Sequence, residues 1–371
     1  MVLLSLGRPR VIHVTPSYFD EESIVGGGER YPGELAYWMS KRVDTTLVSF
    51  SSKRKTLMRG DLRIEVFPVS GFIKGNKADP VSLAFLSLLF QADIVHSHQV
   101  STFVSQMAGT VSSLMFKRAY VTDYGGGAGF VRKINDYFPI LSCYRKAFAY
   151  SDFGRAALPR CLQPRAVLVK GGIDTVRFHP VPGIPKEPLL LFVGRILPHK
   201  GINYLIEAFR LIRRTGFRLR IIGRVYHEDF YRHLKKISEG LDIEFIHNAD
   251  DALLLDSYRT AHLTVLPSVA TDMYGGYTAV PELMGFTLLE SQACGTPVVC
   301  TDAGAMSEFV DHGRTGYVVG QNSPEELADA MEEILAVPDD QYRAMQLRCR
   351  ALAEGYSWDN VVAEYLKVYT S

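Results

Sequence analysis

The chain has 371 residues, a formal net charge of +1, 47% hydrophobic residues and 22% charged residues. That length favours two domains over one core, because single domains cluster near ~100–200 residues, and the composition is that of a soluble globular protein. Near-zero net charge removes any global electrostatic reason to expect nucleic acid.

The first ten residues carry too short an apolar patch for a signal peptide, and no run reaches the ~18 apolar residues of a membrane-spanning helix. The longest candidate, residues 81–90, fits a buried helix. Five cysteines, Cys143, Cys161, Cys294, Cys300 and Cys349, form no CxxC pair and no metal-ligand spacing, so they read as thiols of a reducing compartment. A cytoplasmic protein is expected, with attachment to the inner face of a membrane as an alternative. Lys53, Arg54, Lys55, Arg59, Lys74 and Lys77 are the basic residues that such docking would use.

In chain order, strands are predicted at 10–15, 45–50, 62–67, 92–98, 119–122, 147–150 and 166–169, with a helix at 31–42 and another around Ala84. Strands alternating with helices argue for a parallel sheet covered on both faces. Gly171, Gly172, Pro180, Pro182, Gly183 and Pro185 mark 170–187 as a linker. The pattern then begins again. Residues 189–193 form a continuous apolar strand, and Ile202, Leu205, Ile206, Phe209 and Ile212 step along one helical face. Further strands are predicted at 218–222, 242–246, 263–266 and 296–300. Leu327, Met331, Ile334 and Leu335 mark another helix, and 360–369 a terminal one. The expected fold is therefore α/β, two Rossmann-like parallel sheets in tandem facing a central cleft, with ligands at the carboxyl ends of the strands.

Four clusters fall at those ends. Gly26-Gly27-Gly28-Glu29-Arg30 precedes a helix and lets backbone amides approach an anion, though it lacks the spacing of a dinucleotide fingerprint or a P-loop. His96 and His98 follow a strand core with no nearby carboxylate, which argues against a metal and for hydrogen bonds to a hydroxylated ligand. Arg195 and Lys200 lie between a buried strand and a helix, flanked by Gly194 and Gly201, and supply the two cations a diphosphate needs. In the fourth cluster Glu282 and Glu290 bracket Gly285, whose turn opens a helix with free amides and a positive dipole end. Cations and amides for a diphosphate, with carboxylates and imidazole for polyol hydroxyls, describe a nucleotide-sugar.

These segments together resemble the retaining glycosyltransferases of family four, which have the GT-B architecture. Gly26-Gly27-x-Glu29-Arg30 is similar to the family's N-terminal glycine loop, 93–98 to its histidine segment, and 172–178 to the signature before the linker. Arg195 through Gly201 is similar to the diphosphate-clamping segment, and Glu282 through Glu290 to the Glu-x7-Glu motif. The resemblance implies that Arg195 and Lys200 neutralise the leaving diphosphate with help from the Gly26 and Gly27 amides. It implies that Glu282 holds donor-sugar hydroxyls, that Met284, Gly285 and Phe286 line the sugar and phosphate through backbone, and that Glu290 binds the ribose. His247 and Asn248 would meet the base, and His98 the donor sugar or the acceptor. No metal or other cofactor is implied, because the cations do its electrostatic work.

The family pattern implies an N-terminal, acceptor-side domain at 1–180, a donor-side domain at 181–355, and a helix at 356–371 that crosses back to the N-terminal domain. Two departures stand out. The stretch 269–281 is longer than the usual link and, with Tyr274, Gly275, Gly276 and Tyr277, reads as a loop shaping substrate choice. Asp123-Tyr124-Gly125 stands where a His-Gly is common. The leading expectation is retaining transfer of a sugar from a nucleotide-diphosphate donor to a carbohydrate or lipid-linked acceptor. Alternatives are a GT-B epimerase or phosphorylase, or a non-catalytic nucleotide-sugar-binding subunit, which would predict a damaged cation pair.

Overall fold

The computed structural model describes residues 8–18, 27–124 and 143–371. By its contacts the chain divides into two units. One holds the described residues up to Gly172 together with Trp358–Ser371, and the other is Ile173–Ser357.

In the first unit β1 (Arg10–Tyr18), α1 (Gly27–Ser40), β2 (Asp44–Ser51), β3 (Lys55–Arg59) and β4 (Leu62–Pro68) are followed by a small ribbon of β5 (Gly71–Phe72) and β6 (Pro80–Val81). Then come a 3-10 helix (Ala84–Gln91), β7 (Ile94–His98), α2 (Phe103–Leu114), β8 (Arg118–Thr122), β9 (Lys146–Ala149), α3 (Asp152–Ala157) and β10 (Ala166–Leu168). The main sheet runs β10-β9-β8-β7-β1-β2-β4-β3, parallel except for the β3–β4 pair. Val11, Ile12, Val14, Val48, Val95 and Val121 are buried along it, because β-branched residues fit a sheet covered on both faces.

In the second unit β11 (Leu189–Val193), α4 (Ile202–Leu211), β12 (Arg218–Ile222), α5 (Glu228–Ile237), β13 (Ile243–Ile246), α6 (Asp251–Thr260) and β14 (Leu263–Leu266) lead to α7 (Phe286–Ala293), β15 (Val298–Thr301), β16 (Gly316–Val319), α8 (Pro324–Leu335) and α9 (Asp339–Gly355). All six strands are parallel, in the order β13-β12-β11-β14-β15-β16. Helix starts are capped by side chains: the Asp250 carboxylate accepts from Leu253 N–H at 2.8 Å, and Ser323 Oγ accepts from Glu326 N–H at 3.2 Å with Pro324 in the first turn.

The last helix, α10 (Trp358–Thr370), packs within the first unit. Phe148 and Tyr365 rings lie 4.2 Å apart, Tyr31 and Trp358 rings 4.8 Å apart, and Arg42 bonds Asp359 at 2.7 Å. Gly172 admits this helix: its φ is +115°, and a Cβ there would stand 2.7 Å from Tyr31 and 2.8 Å from Trp358. By contacts the division falls after Gly172, ahead of the position 180 read from the glycines and prolines. Ile173 N–H donates to the Tyr356 carbonyl at 3.1 Å, closing the second unit on itself.

One reading of the sequence changes. The stretch expected as a buried helix over 81–90 is a 3-10 helix that buries only Phe85 and Leu89 and leaves Leu83 and Phe90 exposed. Among the described residues no helix is long and apolar enough to cross a membrane.

Candidate functional site

The carboxyl ends of β11, β14 and β15 carry a polar group built around Glu282. Its carboxylate Oε1 accepts from Lys200 Nζ and from Ser268 Oγ at 2.8 Å. The Lys200 and Glu282 side chains are only 10% and 13% exposed, so the pair is held largely out of water.

Backbone geometry fixes both partners. Lys200 ends a 3-10 turn (Pro198–Lys200) closed by Gly201 in the left-handed region, φ +64°. A Cβ on Gly201 would meet the Pro267 carbonyl oxygen at 2.0 Å. The Glu282 carbonyl accepts from Ala305 N–H at 3.0 Å. A side chain on Gly304 would collide with that same oxygen at 2.1 Å.

Gly285, at φ +76° and ψ 62°, is the N-cap of α7. Thr287 Oγ donates to the Val193 carbonyl at 3.1 Å, which brings the first turn of α7 against the end of β11. Two residues beyond Val193, Arg195 is exposed. A guanidinium, the positive dipole end of a helix and an ammonium thus follow the ends of neighbouring strands, a combination that suits a phosphate chain. Met284 is buried, and Phe286 is half-buried. One helical turn past Phe286, the Glu290 carboxylate accepts from the Tyr258 hydroxyl at 2.7 Å. Burial, reinforced by the Glu290 charge, pushes that phenol well above its ordinary range.

The side chain of His247 is committed internally. Its Nδ1–H donates to the Gly223 carbonyl at 3.0 Å, and Nε2 accepts from the Tyr231 hydroxyl at 2.9 Å; the neighbouring Asn248 is exposed. His199, beside Lys200, is held down to about 4 by burial first and by the adjacent ammonium second, which keeps it neutral.

The stretch 269–281 forms a small hairpin. Thr271 pairs with Tyr277, and the Asp272 carboxylate accepts from the Tyr274 and Gly276 amides, both at 2.9 Å. Tyr274 stacks on His227 with centroids 5.8 Å apart, and Tyr274 and Tyr277 both stay more than half exposed.

In the first unit three imidazoles stack on the neighbouring strands β1 and β7. His13, His96 and His98 are fully buried, with centroids 4.7–5.2 Å apart. His13 sits opposite His96 in the strand register. His98 has both nitrogens engaged, Nε2 with His13 Nδ1 at 2.9 Å and Nδ1 with the Tyr124 hydroxyl. One proton arrangement satisfies every contact: Tyr124 donates to His98, His98 donates to His13, and His13 Nε2–H points at Met39 Sδ, 3.2 Å away. His96 bonds Tyr369 and Thr122, the latter at 2.6 Å. Burial keeps all three rings neutral, with His13 pushed down to about 3.

Sequence reasoning missed His13 and Tyr124. Their only signal was position, one in a central strand of the sheet and one two residues after β8. Gly26 lies outside the described residues, as do 125–127, and Gly27 is the first residue of α1. Among the described residues no three His, Cys, Asp or Glu side chains form a metal-ligand set.

Two parallel-sheet α/β units with these residues at the strand ends are those of a GT-B protein, and solved structures agree on the fold. A glycosyltransferase from Rickettsia africae matches with a TM-score of 0.75 and 20% identity, covering 98% of both chains. Anabaena HepE, solved in complex with UDP and glucose, matches with a TM-score of 0.72 and 14% identity, covering 98% of this chain and 99% of that one.

Residues 175–350, which include Arg195, Lys200, Glu282 and Glu290, match the family described as Glycosyl transferases group 1. A D-inositol 3-phosphate glycosyltransferase of Gordonia bronchialis is 34% identical over 196 residues, 50% of this chain and 40% of that protein. The chain therefore spans less than half the length of that relative.

Proposed function

We propose that this protein transfers a sugar from a nucleoside-diphosphate donor to a hydroxyl of a carbohydrate or lipid-linked acceptor, with retention at the anomeric carbon and without a metal, in glycan or glycolipid synthesis in the cytoplasm. The observation that carries the reading is the Lys200–Glu282 pair beside Arg195 and the start of α7. A pre-formed ammonium and guanidinium at a helix start lower the energy of a departing diphosphate without reorganising. The HepE structures, which contain UDP or UDP-glucose, favour a uridine donor as the first to test.

In this reading Arg195 and Lys200 take up the charge that develops on the diphosphate, with the Gly26 and Gly27 amides assisting. Glu282 orients sugar hydroxyls while it holds Lys200 in place, and Glu290, aligned by Tyr258, receives the ribose hydroxyls. The backbone of Met284, Gly285 and Phe286 lines the sugar and phosphate, and backbone at His247 and Asn248 meets the base. His98, buried with both nitrogens engaged by His13 and Tyr124, serves the sugar or acceptor side as a positioning residue, through Tyr124. The bond between the anomeric carbon and the phosphate oxygen breaks as the acceptor oxygen bonds to the same face, and the acceptor proton passes to a phosphate oxygen of the departing diphosphate.

NMR of the product, with the donor identified by thermal shift against a nucleotide-sugar panel, tests this. Retained anomeric configuration in the presence of EDTA is the expected result. An inverted product would overturn retention, and loss of turnover with EDTA would overturn metal independence.

A further inference from the structure

Phe116 is 97% exposed, and its backbone is held in the left-handed region at φ +55°. That conformation penalises a side chain with a Cβ and suits glycine. The turn that imposes it is tight: Phe116 N–H donates to the Ser113 carbonyl at 3.0 Å and Lys117 N–H to the Ser112 carbonyl at 2.8 Å. The fold thus pays for an aromatic ring in water.

Other apolar side chains accompany it. Leu114 is 75% exposed and Phe90 67% exposed. Strands β7 and β8 are neighbours with Ile94 opposite Arg118, and Lys117 Nζ donates to the Phe90 carbonyl at 3.3 Å. The segments ending in Phe90 and in Phe116 therefore enter the sheet side by side, at its amino-terminal edge.

The same edge is cationic. Lys117 precedes and Arg118 begins β8; Arg145, whose N–H donates to the Ala119 carbonyl at 2.8 Å, precedes and Lys146 begins β9; Arg165 precedes β10. Arg145, Lys146 and Arg165 are exposed. The acids at the start of the next strands are already engaged by Arg10: Asp93 accepts from its backbone N–H at 2.9 Å, and Asp44 from its guanidinium at 2.7 Å. In the basic cluster singled out from the sequence, Arg54 is paired with the Glu65 carboxylate and Arg59 with that of Glu34.

We propose that this edge of the first unit docks on an anionic lipid bilayer, with Phe90, Leu114 and Phe116 entering the interface and the flanking cations meeting lipid phosphates. Exposed aromatic and aliphatic side chains ringed by cations have the chemistry of an interfacial anchor. The inference does not depend on the proposed transfer reaction. A five-residue strand spans about 16 Å, so docking by this edge leaves the carboxyl ends of the strands clear of the bilayer surface.

Co-sedimentation with phosphatidylcholine vesicles, with and without phosphatidylglycerol, tests this on the full chain. Binding is expected only with phosphatidylglycerol and should weaken as salt rises. Phe116→Gly relieves the backbone penalty, so its melting temperature should equal or exceed the parent's while vesicle affinity falls about tenfold or more. Arg145→Glu with Lys146→Glu should also lose binding, and Lys55→Glu, on the other basic cluster, should retain it. Absence of binding to anionic vesicles, or unchanged binding by Phe116→Gly, would overturn the proposal. So would a parent dimer in light scattering that Phe116→Gly dissolves, because the patch would then be an interface between copies.

Discussion

Removing the Glu282 carboxylate strands the Lys200 ammonium. With both side chains nearly out of water at 10% and 13% exposure, breaking the pair from one side leaves a poorly solvated charge, which costs about 3–5 kcal/mol. Residual exposure argues for the lower end, so Glu282→Ala and Lys200→Met are each expected to destabilise the second unit by about 3 kcal/mol. The double variant Lys200→Met/Glu282→Leu should come within about 1 kcal/mol of the parent, because apolar isosteres remove both desolvation penalties together. The expected coupling between the two positions is therefore large and favourable. Urea unfolding reads it. Both tryptophans, Trp38 and Trp358, belong to the first unit, so their fluorescence reports that unit and far-UV circular dichroism must report the second. All three variants should lose transfer, including the one whose stability is restored, which separates the role in folding from the role in chemistry. Single variants that each cost under about 1 kcal/mol would place the pair among solvated surface pairs, and a double variant that costs the sum of its parts would remove the coupling.

Arg195 is exposed, so Arg195→Ala should leave the unfolding midpoint in place while kcat/KM falls by ~100-fold or more, about 3 kcal/mol of transition-state stabilisation; near-normal turnover would refute its place beside the diphosphate. The buried histidines give a pH signature. His13, His96 and His98 all have pKa values lowered by burial, so the unfolded chain takes up protons that the folded one refuses. Stability of the first unit is therefore full above the ordinary histidine value near 6.5 and falls as pH drops toward the folded value, about 3 for His13. Between pH 6.5 and 5.5 the loss should approach about 3 kcal/mol for the three rings together. Denaturant unfolding followed by tryptophan fluorescence checks it, and His13→Gln should flatten the slope by about a third. A pH-independent midpoint over that interval would mean that the rings are hydrated.

Much of the architecture follows from local pattern. The strand at 189–193 is an unbroken apolar run, and β11 occupies Leu189–Val193, because a parallel strand buried on both faces needs no polar alternation. The helix from Ile202 is legible from its apolar stripe for the corresponding reason. Strands β3 and β16 were not legible. Every residue of Lys55–Arg59 is exposed, so that strand exists through its antiparallel hydrogen bonds to β4 and leaves no burial pattern. The opposite failure occurs at 84–91, where composition reads as a core helix. Composition alone cannot say that Phe90 faces water.

The same line divides the candidate site. Arg195, Lys200, Glu282, Gly285 and Glu290 could be singled out from residue type and spacing around glycines, because phosphate and polyol chemistry restricts the choice of side chains and glycine marks where backbone must turn. That Lys200 and Glu282 bond each other, that Tyr258 holds Glu290, and that His13 and Tyr124 occupy the two nitrogens of His98 were decided by tertiary structure alone. These partners lie 26 to 85 positions apart, and only the sheet register and the packing of loops on strand ends bring them within hydrogen-bond distance. The chemistry of each group is written in its own residue and its neighbours, whereas its partner is chosen by the fold.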